Sequence, residues 1–564
     1  MDDFRSQPTP LTTAVTSRRS FVASGSAAAL TLAGAPGLIL RRAPYALVIR
    51  GGTVFDGTGT AGIERDVAVA GGKIVAIARR IAERGTEEID ARGLAVAPGF
   101  IDIHSHGDGS LSEDPRAESL VRQGITTIVV GQDGGSRAPS RPQRGAAAAG
   151  APDDGGRSFT SLFASIDRLR PSVNVASMVG LGTLRGIIVG EDDRPATADE
   201  LARMTAMVVE ALAQGACGAS SGLEYTPGAF APLPELIALC RPLAARRLPY
   251  ATHMRNEDDR LLESIDESIA VARGAKCPLQ ISHLKTQGPR NWHKLDEIFA
   301  RTARERSAGI DIAFDRYPYL AYQTGLSNLF PVWSRDGGTD AFLERLADSS
   351  TASRIRTEAL AKVELIGGWD NVMIANVRAS EDKASEGKRL GAYASSLGVE
   401  PFALTVQMLQ RNRTAVGMVG FAMSEENLER ILAHSQGMVC SDGGAFAVDG
   451  PTRRGSPHPR GLGTFPRVLG RYVRERKALT LAQAINKMTA LPASRIHLTE
   501  RGRLVVGLAA DITVFDPARV QDRATYEEPF QYPVGINAVV VNGVVALRDG
   551  QRGAQGTGTA LRSA

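Results

Sequence analysis

Between residues 98 and 495 the chain alternates short apolar runs with helical stretches. That alternation constrains the fold more than any other feature, because a parallel strand must be followed by a crossover before the next can pair. Eight runs read as inner strands: Ala97–Ile103, Thr126–Gly131, Val173–Val179, Ala216–Ser220, Pro249–His253, Pro278–His283, Ile310–Phe314 and Met438–Ser441. Eight such strands predict an α/β protein with a (β/α)8 TIM-like barrel, whose chemistry sits at the C-terminal strand ends. A ninth run, Ala415–Phe421, is placed outside the ring. Two stretches are too long to be simple connections. Gly134–Arg157, rich in Gly, Ala, Arg and Pro, reads as a mobile surface loop. Trp333–Asn412 carries its own helical patterns and reads as an inserted subdomain, or lid, over the barrel mouth.

The two ends have a different texture. Leu47–Ile49, Asp66–Val69 and Ile74–Ile77 are β-like runs broken by Gly51-Gly52 and Gly71-Gly72, the pattern of hairpins. Similar runs return at Leu504–Val506, Ala510–Phe515 and Ala538–Val541. Residues 45–97 and 500–550 are therefore expected to form one small β-sandwich domain. Composition is that of an ordinary soluble globular protein: 43% hydrophobic and 23% charged residues exclude wholesale disorder, a coiled coil and a polytopic membrane protein. Net charge is +5 without a long Lys/Arg block, so charge lends no support to nucleic-acid binding. The expected partner is a small-molecule substrate, and nothing in the sequence fixes an oligomeric state. The four cysteines follow or sit in apolar runs without metal spacing and read as buried free thiols.

Residues 1–35 read as a targeting segment. Ser17-Arg18-Arg19-Ser20-Phe21-Val22 precedes a weakly apolar stretch, Ala23–Leu40, with Ala33-Gly34-Ala35 as a small-residue cleavage site. Paired arginines before a mild apolar stretch suggest twin-arginine export, hence a periplasmic or exported protein; without a working signal it stays cytoplasmic. The stretch is too short and glycine-rich for stable membrane insertion.

Only eight histidines occur in 564 residues, and four of them fall at predicted strand ends. In Ile101-Asp102-Ile103-His104-Ser105-His106, the i, i+2 spacing puts both imidazoles on one strand face. His253 ends the fifth predicted strand and His283 the sixth. Asp442, in Cys440-Ser441-Asp442-Gly443-Gly444, ends the last. Imidazole and carboxylate donors suit Zn²⁺, which makes bound water acidic enough to supply hydroxide near neutral pH. An ionised Asp beside it can take the proton and pass it to a leaving nitrogen. That is the logic of metal-assisted hydrolysis of an amide-like bond.

Pro98-Gly99-Phe100-Ile101-Asp102-Ile103-His104-Ser105-His106, the later histidines, Asp442 and the split β domain resemble the amidohydrolase superfamily. Within it the chain is most similar to the N-acyl-D-amino-acid deacylases, or D-aminoacylases. Gly124–Gly131, Ser221–Gly228, Thr252–Glu257, Ile281–Lys285, Asp315–Tyr319 and Leu504–Phe515 carry the likeness, which spans about residues 45 to 550. It implies one or two Zn²⁺ per chain. His104 and His106 would hold one ion, His253 and His283 a second or partly vacant site, and Asp442 would be the acid/base and touch the first metal. A substrate carboxylate would be held by cationic and phenolic groups, with Tyr225, Arg255, Lys285, Tyr317 and Arg453 as candidates and Arg460 beside them.

Two departures stand out. The best-known relatives bridge their metals with a cysteine, where this chain has Asp133. Glu224, just past the fourth strand, is the preferred bridge, with Asp133 as the alternative. Relatives often have a histidine where this chain has Leu181, so the metal or Tyr225 would have to stabilise the oxyanion. The expected reaction is zinc-dependent hydrolysis of N-acyl-D-amino acids. A cyclic amidase, dihydroorotase-like enzyme or dipeptidase would use a fourth-strand lysine, and no lysine lies between Lys73 and Lys276. A non-catalytic barrel scaffold is disfavoured because the ligand set is intact.

Overall fold

In the computed structural model, which describes residues 44–140 and 158–563, eight parallel strands form the ring. They are β1 (Phe100–Asp102), β2 (Ile125–Val130), β3 (Asn174–Ser177), β4 (Ala219–Gly222), β5 (Tyr250–His253), β6 (Leu279–Ile281), β7 (Ile312–Arg316) and β8 (Gly437–Val439). Every residue of the eight strands is buried, as expected of parallel strands covered on both faces. Each expected inner run contains or overlaps one of these strands. The third kinks at Met178: Asn174–Ser177 pairs with β2, and Val179–Gly180 beyond the kink pairs with β4. The ring closes between β8 and β1 without a regular ladder. Asp442 N donates to His104 O and His106 N to Gly443 O, both at 2.9 Å. The buried Asp102 carboxylate also accepts from Ser441 N at 2.8 Å and from its hydroxyl. These closing bonds join the strand carrying two histidines to the one carrying Asp442.

The ninth run lies outside the ring. Gly417–Phe421 is the middle strand of an antiparallel three-stranded sheet, between Ala321–Gly325 and Val372–Asn376. Helices Gly338–Ala347, Ser349–Leu365 and Pro401–Arg411 belong to the same insertion between β7 and β8. Its own sheet begins at Ala321 and ends at Phe421, outside the 333–412 bounds read from helical pattern.

Both termini contribute to one β-rich domain of nine strands. Tyr45–Val54 pairs with Ile63–Ala70 and with Ala95–Pro98, which leads through Ile512–Phe515 and Ile536–Val541 to Val544–Arg548. The ladder is continuous, and its two arms share one core, in which Val67, Val69 and Ile74 meet Ile512, Val514 and Val540. Asn174 of β3 bonds to Asp511 and Asn542 of this domain, tying it to the barrel. Residues 1–35, and residues 141–157 of the expected loop, lie outside the described residues.

Candidate metal centre and cavity

Four ligand atoms converge at the C-terminal end of β1. His104 Nε2 and His106 Nε2 lie 3.4 Å apart. Asp133 Oδ2 is 3.5 Å from the first and 3.3 Å from the second. Asp442 Oδ1 is 3.7 and 3.2 Å from the same atoms. A tetrahedral zinc with ligands at 2.0–2.1 Å has edges of about 3.3 Å, so these five separations fit one ion. A second set faces the other side of Asp133. His253 Nδ1 and His283 Nε2 are 3.0 Å apart, and His283 Nε2 lies 3.5 Å from Asp133 Oδ1, which is buried and otherwise without a hydrogen-bond partner. The donors and their spacing therefore suit one or two metal ions.

Tight turns aim these groups. Asp133, His283 and Asp442 adopt left-handed backbone angles, with φ of 51°, 36° and 49°. Such angles are costly for non-glycine residues and are held here by neighbours. His283 N donates to Asp315 Oδ1 at 2.7 Å, and Asp442 N is fixed by His104 O. Gly131 before Asp133 has no alternative residue type: a Cβ there would sit 2.1 Å from Met178 O.

Carboxylates behind the rings orient them, as is usual for metal-binding histidines. Asp315 Oδ1 is 3.5 Å from His104 Nδ1, and Glu257 Oε1 is 3.2 Å from His283 Nδ1. The electrostatics follow. Burial opposes charge on His106, but Asp133 and Asp442 outweigh it and lift the imidazole to about 9. Burial likewise opposes ionisation of Asp442, yet Arg460, at 2.7 Å from Oδ2, and the histidines hold it far below the usual carboxylate range. Asp133 is held low by His104 and His283 against the same burial.

A cavity of about 730 Å³ opens over the centre. His106, Asp133, His253, His283 and Asp442 line it, as do Glu224, Tyr225, Lys285 and Tyr317. Several expectations need correction. Glu224 does not lie between the histidine pairs: its carboxylate meets His253 Nε2 at 3.1 Å and Lys362 at 3.3 Å on the outer rim, and Asp133 occupies the middle. Arg255 is not in the cavity; Glu267 and the carbonyls of Ala229 and Ala231 consume its guanidinium. Arg453 is exposed and rests over the Phe530 ring. Arg454 lines the cavity but is paired with Glu113, and Arg460 reaches the centre itself, where its guanidinium pairs with Asp442 and stacks on Tyr317. Lys285 is present but held by Glu257 at 2.6 Å and by His283. Glu257 and Asp315 were legible as polar residues near strand ends. Lys362, on an inserted helix, carries no motif that would have pointed to it.

The chain is similar to known proteins along most of its length. The amidohydrolase family model matches residues 445–547. An N-acyl-D-glutamate deacylase from Alcaligenes xylosoxydans xylosoxydans is 37% identical over 500 residues, covering 88% of this chain and 92% of its own. A D-aminoacylase from the same organism is 35% identical over 508 residues, covering 89% and 94%. Among solved structures, an N-acyl-D-glutamate deacylase from Bordetella bronchiseptica, complexed with zinc and a phosphonate mimic of the tetrahedral intermediate, superposes with a TM-score of 0.78 at 36% identity, over 92% of this chain and all of that one. A hydantoinase from Arthrobacter aurescens, at 15% identity and a TM-score of 0.53, shares the fold. The chain belongs to the N-acyl-D-amino-acid deacylase, or D-aminoacylase, family of the amidohydrolases.

Proposed function

We propose that the protein hydrolyses the amide bond of N-acyl-D-amino acids, releasing a D-amino acid and a carboxylic acid. The observation that carries this is the convergence of four histidines, Asp133 and Asp442 beneath one cavity that also holds Tyr317 and Arg460. His104, His106, Asp133 and Asp442 would hold a first zinc, and His253 and His283 a second across Asp133. When bound, zinc supplies the Lewis acidity that polarises a carbonyl and makes water acidic near neutral pH.

The chain's own residues supply orientation and proton transfer. Tyr317 OH and Arg460 Nε are buried polar atoms without partners, and a planar carboxylate satisfies both. Seating the substrate α-carboxylate there brings its amide nitrogen toward Asp442. The Asp442 carboxylate is ionised and its Oδ1 faces the histidines, so it accepts a proton from the attacking water. It returns that proton to the leaving nitrogen, which departs poorly as an anion. Tyr225 OH, 3.3 Å from His253 Nδ1, stays a neutral donor because burial pushes its phenol up, and it takes the oxyanion role left open by Leu181. The D configuration is supported by the relatives' substrates.

Metal analysis with paired N-acetyl-D- and N-acetyl-L-amino acids tests the reading. One or two zinc ions per chain and turnover of the D series are expected. Active protein free of divalent metal, or turnover of the L series alone, overturns it. We infer further that Ser17–Val22 and the apolar stretch after it direct twin-arginine export. Changing Arg18→Lys together with Arg19→Lys should then leave precursor in the cytoplasm, and undiminished export would refute this.

A further inference from the structure

Tyr225 stands at the end of a hydrogen-bond chain that begins in the first part of the insertion. The buried Arg335 donates from Nη1 to Asn328 Oδ1 at 2.6 Å. Asn328 Nδ2 donates to Thr324 Oγ1 at 2.5 Å, and Thr324 Oγ1 donates to the Tyr225 hydroxyl at 3.5 Å. That hydroxyl lies 3.3 Å from His253 Nδ1, and Thr324, Asn328 and Tyr225 all border the catalytic cavity. Arg335 also donates to the Glu224 carbonyl at 3.1 Å. One guanidinium therefore holds both the backbone just before Tyr225 and the far end of the chain that reaches its phenol.

The chain runs in one direction only. A guanidinium has no lone pair to offer and always donates. The Asn328 oxygen must therefore face Arg335, which turns the amide NH₂ toward Thr324. An amide NH₂ cannot accept, so Thr324 takes that bond on its oxygen and has its single hydrogen left for Tyr225. Tyr225 accepts it, and the phenol's own hydrogen is left for His253 Nδ1 or for the cavity. His253 Nδ1 faces the second metal position, and a nitrogen committed to a metal accepts nothing. The direction that remains is the cavity, where the reacting carbonyl belongs. Bonds passed one way along such a chain polarise one another, so a hydroxyl that accepts becomes a stronger donor.

We propose that Arg335, Asn328 and Thr324 are positioning residues, a one-way relay that orients and strengthens the Tyr225 hydroxyl as the donor to the developing oxyanion. They act through Tyr225 and not by touching the reacting atoms. The inference rests on the deacylase reading above and on the place of Tyr225 in it.

Kinetics on the N-acetyl-D-amino acid that wild type turns over fastest test the relay, with zinc content measured beside them. Thr324→Val keeps the shape and loses the hydrogen, so kcat should fall about tenfold, the weight of one hydrogen bond. KM and zinc content should not move, because the lost interaction belongs to the transition state. Thr324→Ser should restore most of kcat. Asn328→Asp separates polarity from support: its carboxylate still holds Arg335 but has no hydrogen for Thr324, so kcat should fall as in Thr324→Val. Tyr225→Phe should cost ~10²-fold or more, as loss of an oxyanion donor does. Thr324→Val added to Tyr225→Phe should then cost nothing further, because the relay ends on no hydroxyl. An undiminished loss in the Tyr225→Phe background, wild-type kcat in Asn328→Asp, or zinc lost in step with kcat would overturn the relay and leave the deacylase reading in place. No turnover of any N-acyl-D-amino acid by wild type would overturn both.

Discussion

The two histidine pairs of the centre are built from the same residue type but on different plans. His104 and His106 leave one strand end together and meet two aspartates at tetrahedral spacing. His253 and His283 come from neighbouring strands, and the glutamates around them are each held by a lysine: Glu257 by Lys285 and Glu224 by Lys362. A carboxylate already neutralised by an ammonium has less to offer a divalent cation. The first pair is therefore the stronger zinc position and the second the weaker one. The insertion contributes to the difference, since Lys362 belongs to its long helix Ser349–Leu365.

The largest effect should come from breaking the first pair. His106→Asn should empty the first position and reduce kcat by more than the ~10⁴-fold upper range of a lost acid–base group. His253→Asn should leave one zinc bound and cost less. Metal content measured beside kcat checks the ranking, and equal losses of both from the two variants would break the comparison.

Asp442→Asn comes next. The amide keeps the shape and an oxygen that can still face the first zinc position, but it loses the proton acceptor, so kcat should fall by ~10²–10⁴-fold while His104, His106 and Asp133 retain the zinc. A variant within roughly tenfold of wild type, well short of that range, would assign the proton to another residue.

Glu257→Gln probes the second pair alone. Glu257 orients His283 and restrains Lys285, and losing an orienting carboxylate typically weakens a metal site by ~10–100-fold. Competition with a chelator should show that loss at the weaker position and none at the stronger one. A drop at the stronger position instead would mean the two are not independently built.

How much of this was legible in the sequence depends on how local each signal is. The barrel strands and four histidines were readable because a strand's apolar run and the residue ending it are adjacent in sequence. The same holds for Asp442, followed by its glycines. The bridge position was misjudged because Glu224 and Asp133 both follow strands, and only the left-handed turn at Asp133 turns its carboxylate inward. Arg255 failed for a related reason: spacing placed it after β5, but Glu267 on the following helix captures it. Lys362 reaches the site by tertiary packing of the insertion, which no strand-end pattern encodes. Asp102 lies between these cases, since its place before His104 is readable but its bond to Ser441 is not.

The smallest expected effect is also the most direct reading of the electrostatic difference between the pairs. In the metal-free protein, Asp133 and Asp442 lift His106 to about 9, so its imidazole is largely protonated at neutral pH. Zinc binds only the neutral ring, and occupancy of the first position must release that proton. The sign follows: a raised pKa favours the protonated, metal-free form, so apparent zinc affinity rises with pH and stops rising on this account above about 9. Each proton displaced contributes roughly tenfold in affinity per pH unit. Chelator competition between pH 7 and 9.5 should show this slope in wild type, and a reduced one in Asp133→Asn, where one of the two carboxylates that hold the charge is gone. A flat profile across that range would mean that His106 is already neutral and that the aspartates bind the metal without first binding a proton between them and the ring.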